Sequence, residues 1–302
     1  MRILITGANG QLGRDCTQLL SKQHTVETCD LPELDIADAK QVDALIRSFR
    51  PETVVNCAAY TAVDACETER ETAWMANVDG PHNLAQSTKR QGGRLVHIST
   101  DYVFDGRLEL GRSYQEDAAL NPASFYGKTK AEAENQVRQA SSDNLIVRTA
   151  WLYGRHGHNF LKTMLKLALA DPDHEINVVD DQFGSPTWSY RLALQLGHMI
   201  MAGCKGTYHA TAEGSCTWFE LADQFLTLLD MPHRISPCTS AQYTVPAPRP
   251  KNAVLENKRL KLENLNQMQP WQSDLTLFVK KNGRKLINEA KAVLLPKTGT
   301  SQ

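Results

Sequence analysis

The chain has 302 residues, of which 41% are hydrophobic and 22% charged, as expected for a globular protein with a sizeable core. Its 33 Lys and Arg residues nearly balance its 34 Asp and Glu residues, giving a net charge of −1. This balance gives no global attraction to nucleic acid or to an anionic membrane, and neither is expected as a partner.

The seven cysteines are odd in number and include no Cys-x-x-Cys pair. This pattern argues against a disulfide framework or a zinc knuckle and favours a reducing compartment. No apolar run reaches membrane-spanning length, and a glycine motif begins at Gly7, which leaves no room for a signal peptide. We therefore expect a cytoplasmic protein.

The first half of the sequence alternates apolar runs with helical patterns. In chain order these are strand Arg2–Thr6, helix Gln11–Lys22, strand His24–Cys29, helix Asp38–Phe49, strand Thr53–Asn56, helix Thr68–Arg90, strand Arg94–Ile98, helix Tyr126–Gln139 and strand Leu145–Thr149. Such alternation indicates βαβ units. We predict an α/β fold with a Rossmann-type, doubly wound parallel sheet whose strand C-termini form the ligand-binding edge.

After Thr149 the alternation becomes irregular. Helices are predicted over Asn159–Ala170 and Thr217–Leu229, with Asp38 and Thr217 as helix N-caps. The stripe that contains Trp218 is interpreted as core packing, and the proline-rich segment 232–250 as a loop. We predict a first domain over residues 1–150 and a smaller domain over residues 151–302, with a helix near 187–202 that can return to the first domain.

A glycine-rich turn, Gly7-Ala8-Asn9-Gly10-Gln11-Leu12-Gly13, follows the first strand and opens the first helix. Glycines let the backbone approach a pyrophosphate closely, and a helix N-terminus attracts it. The second strand ends at Asp30, whose carboxylate suits the ribose hydroxyls and repels a 2′-phosphate. The first domain is thus predicted to bind NAD(P), with a preference for NADH that leaves NADPH open.

Two neighbouring features are ambiguous from the residues alone. Asn56-Cys57-Ala58-Ala59-Tyr60 ends the third strand, and its small residues suit either ligand approach or tight helix–sheet packing. Asp35, which precedes Ile36, suits either an adenine contact or a turn cap.

The strongest constellation combines Ser99-Thr100-Asp101, after a strand, with Tyr126-Gly127-Lys128-Thr129-Lys130, at the start of a helix. Tyr126 and Lys130 are four residues apart and share a helix face. An ammonium group beside a phenol favours the phenolate, so Lys130 is expected to lower the pKa of Tyr126 from ~10. Tyr126 then donates a proton to the alkoxide that hydride addition creates, and Thr100 hydrogen-bonds the same oxygen.

These motifs resemble the extended short-chain dehydrogenases and, within them, the dTDP-4-dehydrorhamnose reductases. The resemblance covers most of the chain and rests on the segments Gly7–Gly13, Asn56–Asp64, Ser99–Phe104, Tyr126–Lys130, Arg148–Gly154, Asn159–Met164, Asp181–Thr187 and Arg249–Pro250. It implies reduction of dTDP-4-dehydro-β-L-rhamnose to dTDP-L-rhamnose by NADH or NADPH, a step of nucleotide-sugar and surface-polysaccharide biosynthesis.

The resemblance also implies residue roles. The catalytic residues are Thr100, Tyr126 and Lys130. The cofactor contacts are Gly7, Gly10, Gln11, Leu12, Gly13, Asp30, Asp35, Ile36, Ala58, Ala59, Tyr60, Thr61, Tyr126 and Lys130. The contacts with a dTDP-linked keto sugar are Thr100, Asp101, Trp151 and Arg249, of which the last suits a diphosphate. Because Trp151 and Arg249 follow residue 150, the domain over residues 151–302 is expected to bind and select the substrate, while the first domain binds the cofactor.

The same resemblance implies that a homodimer can form. Some family members bind magnesium through glutamates at a dimer interface, but the matching positions here are Asp15 and Tyr190. No metal site is therefore expected.

Three alternatives stay open at this point. A 4,6-dehydratase needs an additional acid–base pair, and relatives with that activity carry Asp-Glu after the threonine, whereas Thr100 is followed by Asp101-Tyr102. A 4-epimerase uses the same tyrosine and lysine with a retained cofactor. A non-catalytic regulatory subunit, of the kind that partners methionine adenosyltransferase, has the same fold.

Overall fold

The computed structural model describes residues 1–243 and 245–294; residues 295–302, which the sequence assigns to the second domain, lie outside the described residues. The strands are β1 (Arg2–Thr6), β2 (Thr25–Cys29), β3 (Thr53–Asn56), β4 (Arg94–Thr100), β5 (Leu145–Thr149), β6 (Leu152–Tyr153), β7 (Glu175–Val179), β8 (Phe183–Gly184), β9 (Thr187–Trp188), β10 (Gly206–His209), β11 (Cys216–Thr217) and β12 (Arg234–Cys238). The helices are α1 (Gln11–Leu20), α2 (Ala39–Phe49), α3 (Arg70–Trp74), α4 (Gly80–Arg90), α5 (Phe125–Ala140), α6 (Phe160–Ala170), α7 (Ser189–Met201), α8 (Trp218–Leu228), α9 (Lys258–Leu262) and α10 (Trp271–Leu294).

Six parallel strands form the main sheet in the order β10-β5-β4-β3-β1-β2. The chain runs from β1 outward to β2 and then crosses to β3 on the other side of β1. A sheet of this kind opens a crevice where the strand order reverses, at the carboxyl ends of the strands. The predicted doubly wound α/β fold is confirmed, and its crevice lies between β1 and β3.

The side chains of the sheet alternate between two apolar layers. Ile3 and Ile5 pack with α1 and α7 on one face, whereas Leu4 packs with α2, α4 and α5 on the other. All three side chains are fully buried. A parallel sheet covered by helices on both faces requires such apolar residues in each direction.

The segment near 187–202 forms α7, which packs along α1, and Leu192 and Leu196 are buried beside β1. The following strand, β10, pairs with β5 and extends the main sheet beyond residue 150. The division of the chain into two domains stays a prediction, but part of the segment after residue 150 clearly belongs to the first core.

A second apolar core joins α6, α8 and α10, with Leu165, Phe225 and Phe278 at its centre. The parallel pair β7–β12 and the antiparallel pair β8–β11 border it. Part of the segment 232–250 is therefore a strand, not a loop, and Pro237 fits there because β12 pairs on one side only.

The predicted helix Thr68–Arg90 is wrong in one respect, because several shorter pieces replace it. A 3₁₀ turn at Ala65–Glu67 precedes α3, and a π-helical turn at Met75–Asp79 separates α3 from α4. The predicted N-caps are confirmed: Asp38 accepts two backbone N–H groups, and Thr217 forms a capping box with Glu220. No helix among the described residues combines the length and apolar character needed to cross a membrane.

Candidate active site

The glycine turn brings the end of β1 against the end of β3. Gly7 has a φ of +66°, and a Cβ there would lie 2.5 Å from the backbone nitrogen of Ala58. A Cβ on Gly13 would lie 2.1 Å from the Gly7 carbonyl oxygen. In the part of the chain that the structure describes, no side chain caps the N-terminus of α1 at Gly10, so the first backbone N–H groups of the helix can bind an anionic ligand.

Asp30 connects the end of β2 to the glycine turn. Its carboxylate accepts hydrogen bonds from the backbone nitrogens of Asn9, at 2.8 Å, and Leu31, at 2.9 Å. Asp35 accepts from the nitrogen of Ala37 at 2.9 Å. Both acids therefore hold turns, and both also line the cavity beside the glycine turn.

This first cavity has a volume of about 390 Å³ and opens at the crevice between β1 and β3. The predicted cofactor residues that line it are Gly7, Gly10, Asp30, Asp35, Ile36, Ala58, Ala59 and Tyr60. The predicted cofactor residues outside its lining are Gln11, Leu12, Gly13, Thr61, Tyr126 and Lys130. Of these, Leu12 is buried in the core and Gln11 binds Asn159, so their side chains hold the turn in place.

Several residues that shape this cavity were not found from the sequence. Thr72, Met75 and Ala76 line it from the broken helix region. Fully buried Asn77, in the π-helical turn, bonds both backbone groups of Tyr60 and donates to Thr129 Oγ1 at 3.1 Å. A polar residue within a predicted helix, three residues before Gly80-Pro81, was the only signal of this arrangement.

The catalytic candidates converge beside the crevice. Ser124 caps α5 through the Gly127 nitrogen, and the first turns of that helix carry Tyr126 and Lys130, which are buried. Thr100 lies at the end of β4. Tyr126 lies in one apolar cluster with Tyr60, which lines the first cavity, and its ring meets that of Tyr102 edge-on at 5.6 Å.

The pKa of Tyr126 does not follow the sequence-based expectation. Burial raises it most, Asp101 and Tyr102 raise it further, and a hydrogen bond with Thr100 opposes them. The Lys130 amine instead donates to the Ile98 carbonyl oxygen at 2.7 Å and lies 3.3 Å from His97 Nε2. Burial lowers the pKa of Lys130 to about 8, against the raising effects of Glu134 and Cys57.

Asp101 is a buried carboxylic acid beside Thr100, with an exposed fraction of 2%. Its Oδ1 accepts from the Thr100 hydroxyl at 2.8 Å, and its Oδ2 has no partner among the residues that the structure describes. Burial raises the pKa of Asp101 to about 7, although Thr100 and the backbone N–H groups lower it.

A second cavity, of about 440 Å³, is lined by Tyr102 and has an aromatic wall. Trp151 stacks flat on Trp218, with ring centroids 3.5 Å apart and planes at 6°. Phe160 packs on Trp218 at 4.6 Å. Trp218 was interpreted from sequence as core, yet it belongs both to the apolar cluster and to this cavity.

The backbone of Trp151 has a φ of +46°, which is unusual for a side-chain-bearing residue. A Cβ on Gly184 would lie 2.2 Å from the Trp151 indole. Gly184 and Trp218 therefore fix the ring that the sequence predicts to contact the sugar nucleotide.

Arg249 lines the same cavity and forms an ion pair with Asp64, with Nη2 and Oδ2 2.8 Å apart. Its guanidinium lies 5.9 Å from the centre of the Tyr102 ring. Among the described residues, its buried Nη1 has no hydrogen-bond partner. Arg249 thus forms an ion pair with Asp64, as a surface arginine would, and among the described residues its Nη1 remains without a partner at the aromatic cavity.

Comparisons with known proteins agree with this geometry. The family model described as the RmlD substrate binding domain matches residues 1–283. A dTDP-4-dehydrorhamnose reductase of Streptomyces griseus is 43% identical over 91% of this chain and 92% of its own length. The chain belongs to the dTDP-4-dehydrorhamnose reductase family.

Two further relatives differ in what their names report. A dTDP-4-keto-6-deoxy-D-glucose reductase of Streptomyces niveus is 39% identical, over 91% of this chain and 95% of its own length. The crystal structure of a Bacillus anthracis dTDP-4-dehydrorhamnose reductase in complex with NADP superposes with a TM-score of 0.89, at 37% identity, covering 93% of this chain and 99% of that one. Within residues 1–243 and 245–294, no group of His, Cys, Asp or Glu side chains forms a candidate metal site.

Proposed function

We propose that this chain reduces the C4 carbonyl of dTDP-4-dehydro-β-L-rhamnose to give dTDP-L-rhamnose, with NADH or NADPH as the reductant. The position of Tyr126 carries this proposal. It lies in one apolar cluster with Tyr60, which lines the cavity at the glycine turn, and its ring meets that of Tyr102, which lines the aromatic cavity that contains Arg249. A proton donor therefore lies where a cofactor and a sugar nucleotide can meet.

The first cavity suits a nicotinamide dinucleotide. Only glycine fits at position 7, and the α1 N-terminus offers free N–H groups to a diphosphate. When bound, the cofactor supplies the hydride; Gly7 and Gly10 would hold its diphosphate, and Asp30 its ribose hydroxyls. The chain contributes the orientation of the reacting groups and the proton.

The proton comes from Tyr126, whose raised pKa keeps the phenol protonated until negative charge develops on the sugar oxygen. Thr100, which lies beside the buried Asp101, would hydrogen-bond the same oxygen. In its charged state, Lys130 would favour the phenolate that remains after transfer.

The cofactor preference is the least constrained part of the proposal. Asp30 opposes a 2′-phosphate, but its two bonds to backbone N–H groups already engage its charge. The B. anthracis relative was crystallised with NADP. We therefore assign the reaction to either nicotinamide cofactor.

The aromatic cavity suits the sugar nucleotide. Trp151 and Trp218 offer flat apolar surfaces, and Arg249 offers a phosphate oxygen its Nη1, which has no partner among the described residues. Because the S. niveus relative is named for dTDP-4-keto-6-deoxy-D-glucose, that C4 ketone is the second candidate substrate.

The decisive experiment measures NADH and NADPH oxidation by the purified protein with dTDP-, GDP- and UDP-linked 4-keto sugars. We expect turnover with a dTDP-linked 4-keto-6-deoxy sugar and stoichiometric formation of the C4 alcohol. Interconversion of C4 epimers by protein that carries tightly bound NAD⁺ would instead identify an epimerase. Absence of turnover with every pair would favour a regulatory role.

Two further proposals concern the setting of the reaction. The seven cysteines are all free and suit the reducing cytoplasm, where we propose that the enzyme works. A homodimer is proposed on the family resemblance alone, and sedimentation of the purified chain tests it.

A further inference from the structure

A chain of buried polar groups runs beneath the catalytic residues, from the sheet to Lys130. The Thr6 hydroxyl donates to Asn56 Oδ1 at 2.7 Å, Asn56 Nδ2 lies 3.2 Å from His97 Nδ1, and His97 Nε2 lies 3.3 Å from Lys130 Nζ. Each of these four residues is at most 2% exposed. His97 has no part in the proton transfer proposed above.

The orientation of the Asn56 amide is fixed by its backbone neighbour. The Ala58 nitrogen donates to the Asn56 atom labelled Oδ1 at 3.1 Å. A backbone N–H can only donate, so that atom must be the oxygen. The Asn56 NH₂ group therefore faces His97 Nδ1, and this nitrogen must accept the hydrogen bond.

This requirement fixes the tautomer of His97. Burial, and then the charge of Lys130, hold the pKa of His97 well below its usual range, so the ring is neutral. A neutral ring that accepts at Nδ1 carries its proton on Nε2 and points that N–H at Lys130 Nζ. An uncharged amine accepts this bond while it donates to the Ile98 carbonyl oxygen, whereas an ammonium group cannot accept it.

The other neutral tautomer of His97 also leaves two hydrogen-bond donors facing each other when Lys130 is charged. With the proton on Nδ1, His97 would accept from a charged Lys130, but its N–H would then face the Asn56 NH₂ group. Each neutral tautomer thus leaves one donor facing another whenever Lys130 is charged. Only the uncharged amine satisfies every group in a chain where buried, unpaired donors are costly.

We propose that His97 is a positioning residue. Together with Asn56, it favours the uncharged Lys130 amine, because only in that state does every group of this buried network have a hydrogen-bond partner. His97 thereby limits the pH range in which Lys130 carries the charge that assists Tyr126. The other titratable groups near Lys130 are Glu134, on the same helix, and Cys57, at the end of β3; both favour the charged amine. His97, on β4, opposes them.

The kinetic test rests on the proposed reductase function and compares the pH dependence of kcat/KM in three variants. In His97→Gln, an amide oxygen can face Lys130; in Asn56→Asp, a carboxylate accepts from His97 Nδ1–H and frees Nε2 to accept. Each change should stabilise the charged amine and so move the basic limb of the pH profile, where Lys130 loses its proton, to higher pH. The expected shift is about one pH unit, the effect of one hydrogen bond to a charged group. The control is His82→Gln, a histidine of α4 that bonds to the Gln136 side chain at 2.9 Å, and it should leave the basic limb of the pH profile in place.

A lower kcat with an unmoved basic limb in both His97→Gln and Asn56→Asp would assign His97 a purely structural role and overturn the proposal. A second measurement needs no substrate, so it survives failure of the proposed function. In protein labelled with ¹⁵N-histidine, at a pH above the pKa of Lys130, the His97 signals should show a protonated Nε2 and an unprotonated Nδ1. The opposite tautomer in folded protein would also overturn it.

Discussion

At the scale of single residues, the candidate site combines a phenol whose pKa is raised with an amine whose pKa is lowered. Burial and the neighbouring Asp101 raise the pKa of Tyr126, whereas burial lowers the pKa of Lys130 to about 8. The phenol is thus protonated at neutral pH, as the proposed proton transfer requires. The sequence indicated both residues by their spacing, but not these pKa values, because burial depends on the whole surrounding fold.

The first prediction concerns Tyr126, the proposed proton donor. Tyr126→Phe removes the hydroxyl but keeps the ring that packs against Tyr102. We expect kcat to fall by ~100-fold or more, the usual scale for the loss of a general acid, with little change in cofactor affinity. Steady-state kinetics and cofactor titration measure the two effects. Near-normal kcat in the variant would show that another group supplies the proton.

The second prediction concerns Asp101 and stability. Its pKa in the folded protein, about 7, lies above the usual value of 3.8, so folding favours its protonated form. The resulting stabilisation is complete at acid pH and is lost as the pH rises towards 7. Asp101→Asn cannot ionise, so the variant should gain stability relative to the parent over this range. Urea unfolding at several pH values measures the difference, and a constant difference would contradict the assignment.

At the scale of elements, the sequence predicts those parts that depend on local pattern. The glycine turn, α2 with its Asp38 cap and the first five strands of the sheet follow from periodicity and capping residues. Strand β10 joins the sheet through its pairing with β5, which lies about 60 residues earlier in the sequence. The π-helical turn depends on the bonds of Asn77 to Tyr60 and Thr129. Neither long-range contact leaves a periodic signal.

The junction of β11 and α8 gives the third prediction. The capping box at Thr217 fixes the start of α8, so that Trp218 stacks on Trp151 at the aromatic cavity. Trp218→Ala should leave Trp151 less constrained and raise KM for the sugar nucleotide by ~10-fold, since an aromatic pair contributes roughly 0.5–1.5 kcal/mol beyond its buried area.

Two comparisons separate this effect from misfolding. Trp218→Phe keeps an aromatic surface and should restore most of the affinity. Unfolding curves of both variants report any loss of the apolar core to which Trp218 also belongs. An unchanged KM in folded protein that carries Trp218→Ala would return Trp218 to the role of a core residue.

At the scale of the whole molecule, specific contacts connect the cofactor half to the aromatic cavity. Asn159 donates to Gln11 at 2.8 Å, and Asp64 accepts from both Arg249 and the Ala247 nitrogen. The sequence placed Trp151 and Arg249 after the catalytic residues and thus predicted that the later half selects the substrate. It could not show that Asp64, in a motif near the cofactor turn, holds Arg249 at the cavity.

The last prediction tests this division of labour. Arg249→Ala should raise KM for the sugar nucleotide by roughly 10- to 150-fold, because a hydrogen bond to a charged group contributes about 1.5–3 kcal/mol. Cofactor affinity should change little, since Arg249 does not line the first cavity. Asp64→Asn is the matched control: it removes the partner but leaves the cation. If Arg249 binds diphosphate, the Asp64→Asn variant should bind the sugar nucleotide no more weakly than the parent. An equal loss of affinity in both variants would show that the Arg249–Asp64 pair only holds two segments of the chain together.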